Sequence, residues 1–356
     1  MRAPSPATPT KLIRDSNYYI SEGNTVIRVD NTLFKVHRCL ISRDGSAFED
    51  MFSLDNIKTS HSAVREGDSD DNPIVLHGDK PEEFRALLWS LYALPAEIFQ
   101  VPNTQSAVVR YINLARIANK YSFRTTENWA LHVLTVCQTN SSVVPPPPIL
   151  TQLTEVAVLC NHEELHEAVE PMWADLLFAG QTEDIISAMT VADKLNLRPL
   201  LGLAYYLMML KGREEWDSST LTREQRIRLL SGYYNISRAC EALPTTAPTL
   251  VHHSTCFMNA KCGEAWQALW TTMVYKMMGD GGHGAAAVAS RVPMVDLLRK
   301  LHLANHLLEK LINGESPLEV PSNMNKNCLR NGLNASEETV NDVLYGLADC
   351  FVEIDS

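Results

Sequence analysis

No dense run of lysine or arginine occurs anywhere in the 356 residues, and the formal net charge is −11. Phosphate backbones are held by clustered cations, so nucleic acid is not an expected partner. Long apolar runs are also missing. The longest, Leu200 to Leu210, falls well short of the ~20 residues that a membrane-spanning helix needs, so no membrane partner is expected. The opening Met1-Arg-Ala-Pro-Ser-Pro-Ala-Thr-Pro-Thr10 lacks the apolar centre of a secretion signal, which predicts an intracellular protein, cytoplasmic or nuclear. No Gly-Lys-Ser/Thr phosphate loop and no Gly-x-Ser-x-Gly elbow is present, and with them go the simplest routes to a nucleotide or acyl substrate. The eight cysteines are scattered along the chain and read as reduced thiols, not as a disulfide framework.

What is there divides at Pro145-Pro-Pro-Pro148, an extended run expected to act as a linker over 141–148. Before it lie a disordered lead-in, 1–16, and a domain spanning 17–140. After it come a helical domain over 149–314, and a loop with a terminal helix over 315–356. In the first domain Val26-Ile-Arg-Val29 and Thr32-Leu-Phe-Lys-Val36 read as strands joined at Asp30-Asn31, and Ile74-Val-Leu76 as a third. Glu66-Gly-Asp-Ser-Asp-Asp-Asn72 reads as part of a mobile acidic insertion. Ser46 and Glu49 have capping-box spacing ahead of Phe48, Met51 and Phe52, which share a helical face. Asp79 is placed to cap a helix carrying Phe84, Leu87, Leu88, Leu91 and Tyr92. Strands early and helices late predict an α+β domain followed by an all-α one. A weak echo runs through Ala118-Asn-Lys-Tyr-Ser-Phe123, Val158-Leu-Cys-Asn-His162 and Ala192-Asp-Lys-Leu-Asn-Leu197, each a helix, a tight turn and a new helix.

Four patterns invite a chemical reading. His162-Glu163-Glu-Leu-His166 formally matches the zinc-peptidase motif, with Glu167 or Asp175 as conceivable third ligands. By the echo, however, Asn161 caps and His162 opens a helix that Pro171 interrupts. Gly279-Asp-Gly-Gly-His-Gly284 matches a dinucleotide fingerprint but follows a helical stretch, Trp266 to Met278, where a strand is required. His252, His253, Cys256 and Cys262 are ligand types that suit zinc, although five residues separate the cysteines, more than usual. His302 and His306 lie one turn apart on an amphipathic helix and need no ligand. On these grounds the sequence predicts no catalytic residue, no bound cofactor or metal and no small-molecule substrate.

Thr32-Leu-Phe-Lys-Val-His-Arg-Cys-Leu-Ile-Ser-Arg-Asp-Gly-Ser-Ala-Phe-Glu-Asp-Met-Phe52, with Asn72 to Leu76, Pro81 to Tyr92 and Leu114 to Tyr121, resembles the BTB/POZ family, most of all its fungal branch. The resemblance covers roughly the first two-fifths of the chain. It implies a short sheet flanked by helices and a protein-interaction module that pairs with itself or with another protein. In some relatives that partner is a cullin scaffold, which the domain bridges to a substrate. His37 matches the histidine between strand and helix, to which the resemblance gives a structural role. Partner contacts would come from the hairpin and first helices, with Leu33, Phe34, His37, Phe48, Met51 and Phe52, and a cullin would dock near Glu97, Ile98 and Phe99. Many members carry Asp before the first strand, where this sequence has Asn24-Thr25.

Overall fold

The strand formers on either side of Asp30-Asn31 close a hairpin in the computed structural model, with Asp30 left-handed at φ +52°. The structure describes residues 11–58, 65–98, 104–218, 220–278, 295–316 and 318–352. The chain divides into two compact units, Met1–Asp175 and Leu176–Ser356. The expected linker is therefore not the boundary. Its last prolines open a helix at Pro147, where a missing N–H costs nothing.

The first unit is mixed, as expected, with a four-stranded sheet ordered β1-β3-β2-β4. Its strands are β1 (Ile13–Tyr19), β2 (Thr25–Val29), β3 (Thr32–Val36) and β4 (Ile74–Leu76). β2 and β3 are antiparallel, while β1 runs parallel to β3 and β4 parallel to β2. β1 corrects the reading of 1–16 as a disordered lead-in at Ile13 to Ser16, while 1–10 lie outside the described residues. It pairs Ile13 with Thr32 and Arg14 with Leu33, and its buried Asp15 accepts from Arg85 Nε at 2.7 Å and from the amides of Asn17 and Tyr18. Ile27, Phe34 and Phe84 are fully buried, the last two meeting edge to face at 5.0 Å.

Helices α1 (Arg38–Ile41), α2 (Ala47–Lys58), α3 (Pro81–Tyr92), α4 (Pro95–Ile98), α5 (Gln105–Lys120), α6 (Arg124–Thr139), α7 (Pro147–Leu159) and the start of α8 (Glu163–Ala179) complete this unit. Two expected caps do other work. Ser46 is buried and donates to the Ile41 carbonyl at 2.7 Å. Asp79 accepts from Lys120 Nζ and the Tyr121 hydroxyl, both at 2.6 Å, while Lys80 takes the cap position of α3. Burial first, and the neighbouring Asp79 carboxylate second, raise the Tyr121 hydroxyl pKa well above its ordinary value. The acidic segment 65–72 is anchored, not mobile. The Gly67 carbonyl accepts from the Val26 amide at 2.7 Å, and Asp70 binds Arg14 and Tyr19.

Among the described residues the regular structure of the second unit is all helical, with α9 (Thr182–Leu195), α10 (Arg198–Lys211), α11 (Arg213–Ser218), α12 (Arg223–Ala242), α13 (Asn259–Met278), α14 (Leu297–Ile312) and α15 (Lys326–Cys350). α10 is the central helix, burying Leu201, Ala204, Tyr205, Tyr206, Met208 and Met209. Over 315–356, where a loop and then a terminal helix are expected, α15 already begins at Lys326 and takes up most of the segment. Ser336 lies inside it and donates to Asn305. Gly232 permits one close approach, since a Cβ there would stand 2.0 Å from the Phe351 ring. Between α12 and α13 the chain from Leu243 to Met258 has no regular structure, a long interruption that helical periodicity did not announce. Among the described residues no helix is long and apolar enough to cross a membrane.

The echo is a real structural repeat. Ser122, Asn161 and Asn196 are all left-handed, at φ +62°, +49° and +53°. In each turn the following amide reaches back five residues: Phe123 to Ala118, His162 to Ala157 and Leu197 to Ala192, at 2.9, 2.9 and 3.1 Å. These bonds are the Schellman closure of a helix C-terminus.

Candidate functional site

The strand end at Val36 is fixed by His37. The Tyr92 hydroxyl accepts from the His37 amide at 2.9 Å and lies 2.9 Å from its Nδ1, so the turn is locked onto α3. The Asn24 Oδ1 accepts from the Arg38 amide at 2.8 Å. Asp44 reaches across to α6, accepting from the amides of Thr125 and Thr126 at 2.9 and 3.2 Å. A carboxylate there suits the positive end of that helix.

Most of the apolar residues expected to meet a partner are core. Leu33 and Phe34 are buried in the central hairpin, and Phe48 and Phe52 on α2, where Phe48 packs against Phe52, Tyr121 and Phe123, so the four present no surface to another protein. Met51 and His37 are half-buried. Glu97 is exposed, and its carboxylate accepts from the Leu94 amide at 2.9 Å, while Ile98 is half-buried. Phe99 lies outside the described residues. Exposed apolar side chains of this unit lie elsewhere: Ile13 on edge strand β1 with Leu12 just before it, Leu94 after α3, and Val136, Val143, Val158 and Leu159 further along. An open groove of about 550 Å³ is lined by Thr104, Val108, Val136, Cys137, Val143 and Ile149 among others. Its one ordinarily titrating group is the Cys137 thiol, whose pKa burial raises.

The peptidase-like pattern is split by a helix start. His162 precedes α8, and its Nδ1 accepts from the Leu165 amide at 3.1 Å, so the histidine itself is the cap and Asn161 the left-handed turn. Among the described residues neither His162 nor His166 belongs to a group that could hold a metal ion. His302 Nδ1 donates to the Leu298 carbonyl at 2.8 Å. The glycine-rich Gly279–Gly284 stretch lies outside the described residues.

The second unit does assemble one metal-like donor set: His252, Cys256, Cys262 and Cys328, whose ligand atoms all lie within 4.8 Å of one another. His252 Nδ1 is 3.8 Å from both Cys256 Sγ and Cys328 Sγ. His253, grouped with these residues in the sequence as a candidate ligand type, lies outside the set. Its Nδ1 is turned to Thr255, at 2.9 Å from the hydroxyl, and its backbone amide donates to Cys328 Sγ at 3.2 Å. Cys328 was not foreseen. It sits in the first turn of α15, far along the chain, and no spacing connects it to the others.

No family model, no curated protein and no solved structure matches this chain. The chemistry of the cluster therefore rests on its own geometry. Burial raises the Cys328 thiol pKa. The Cys256 and Cys262 thiols add to that, against the His253 amide, which favours the thiolate. Three sulfurs and an imidazole turned toward one point suit a soft cation, which would convert crowded thiols into ligands.

Proposed function

We propose that the chain is a non-enzymatic association protein, working through a BTB/POZ-like first unit that joins two copies of itself. The observation carrying this reading is the edge strand β1. It stands at one end of the sheet order and exposes Ile13, at 56%, with Leu12 just before it. An outer strand offers a row of backbone donors and acceptors, and exposed apolar side chains beside it supply the area that a strand-to-strand contact buries. The Asp15–Arg85 pair supports the reading by tying that edge to α3.

Light scattering of the full chain over about 1–100 μM tests it. A dimer is expected, and Ile13→Lys is expected to give a monomer with unchanged helical circular dichroism. A chain that stays monomeric throughout overturns self-association. The second reading is an adaptor for a cullin-type ubiquitin ligase. It is favoured by Leu94, 68% exposed in the segment where the resemblance would dock such a scaffold. Capture of a cullin, lost in Leu94→Asp, supports it, and binding unaffected by that change removes it.

A further inference from the structure

From Thr249 to Lys261 no residue is buried, and Phe257 is 94% exposed. Apolar burial cannot hold such a stretch of irregular chain in one conformation. The first half of the same connection is held differently. Trp266 and Trp270 donate their indole N–H groups to the carbonyls of Pro248 and Leu243, and Thr271 donates to Pro244, each at 2.8 Å. Those contacts stop at Pro248, four residues before His252.

We infer that His252, Cys256, Cys262 and Cys328 bind one structural zinc ion, which pins this loop to the first turns of α13 and α15. A tetrahedral zinc with bonds of about 2.3 Å to sulfur and about 2.0 Å to nitrogen sets nitrogen and sulfur about 3.5 Å apart and two sulfurs about 3.8 Å apart. Both nitrogen-to-sulfur distances from His252 are 3.8 Å, and no pair in the set exceeds 4.8 Å. Closure of the widest pair needs only small side-chain rotations. Four protein ligands fill the tetrahedron, which leaves no position for water and makes the site structural, not catalytic. Cys262 and Cys328 are buried while His252 and Cys256 are half-buried, so the ion has an entry side.

The surroundings match those of a zinc centre. The His253 amide donates to the Cys328 sulfur and stabilises it as thiolate. Asn325 places Cys328 through its carbonyl, which accepts from the amides of Asn327 and Cys328, and donates through its nitrogen to the Thr255 carbonyl. Asn331 donates to the Val251 carbonyl at 2.8 Å. The His252 ring lies over Gly263, where a Cβ would stand 3.8 Å from Nε2. On zinc binding the three thiols lose their protons to solvent and no electron is transferred.

The test uses the full chain, purified without chelator, with zinc, iron and copper measured by plasma mass spectrometry. The expected result is about one zinc per chain. His253→Ala retains it, because the backbone amide survives, whereas Cys256→Ser and Cys328→Ser weaken binding about 100-fold or more. Cys256 lies in the loop and outside the core, so its variant separates loss of metal from loss of fold. Cobalt(II) added to the stripped chain is expected to give a thiolate-to-metal charge-transfer band that Cys256→Ser diminishes. Four outcomes overturn the inference: a metal-free chain that takes up no cobalt, zinc retained at the native level by Cys328→Ser, an iron cluster in its place, or a Cys256–Cys328 disulfide in the purified protein.

Discussion

Two stretches of irregular chain, 65–73 in the first unit and 249–258 in the second, are fixed by opposite means. The first is held by charge and backbone. Arg14 and Tyr19 both bind Asp70, at 2.6 Å, and Gly67 receives the Val26 amide. Among the described residues the second has no ion pair within it, and its polar anchors are neutral amides, Asn325 on the Thr255 carbonyl and hydroxyl and Asn331 on the Val251 carbonyl. What it has instead is sulfur and imidazole. A carboxylate among cations is complete as it stands, whereas a thiol set becomes adhesive only around an ion. The two loops therefore respond to different perturbations, and each can be loosened without the other.

Chelation gives the largest separation. Stripping metal from the full chain is expected to raise amide exchange across 249–258 by about 100-fold while 65–72 is unchanged. Equal effects on both loops, or none, break the contrast. Next in size is Trp266→Phe, which leaves the Pro248 carbonyl without its indole donor and opens space beside Gly332. It is expected to cost about 2 kcal/mol in urea unfolding, with the loss confined to the second unit. Asp70→Asn is smaller, about 1 kcal/mol, because Arg14 is largely exposed and the pair is screened.

The weakest effect is on pH. Burial works against the Asp70 carboxylate, but the Tyr19 hydroxyl and the Arg14 guanidinium outweigh it, and Lys35 adds to them, so its pKa lies below the ordinary carboxylate value. That stabilisation is present above the unfolded carboxyl pKa and is lost as pH falls through the folded one. Exchange in 65–72 is expected to rise in acid below the ordinary Asp range, about pH 4. In Asp70→Asn that rise is expected to disappear.

The hairpin, β4 and the amphipathic helices were legible because each is written locally, in turn residues and in apolar spacing. β1 was not, since Arg14-Asp-Ser-Asn17 is polar and its place comes from Thr32 and Leu33 across the sheet. Periodicity also misled. It identified Leu33, Phe34, Phe48 and Phe52 as apolar and patterned, but a stripe facing a partner and a stripe facing the core look alike in sequence. Three of the four clustered ligands were visible as residue types close together. Cys328 was hidden, because tertiary packing and the Asn325 cap bring it there, and His253 was the false neighbour of a true ligand.

The three left-handed turns at Ser122, Asn161 and Asn196 have a consequence for how the chain is made. Each is closed by partners a few residues apart, so each helix pair can form as it emerges, with little loop entropy to overcome. The sheet closes over a longer span, because Ile27 pairs with Ile74 across far more chain. Closure is thus cheap within the helical hairpins and costlier at the parallel β2–β4 seam, which sets the slower step of assembly.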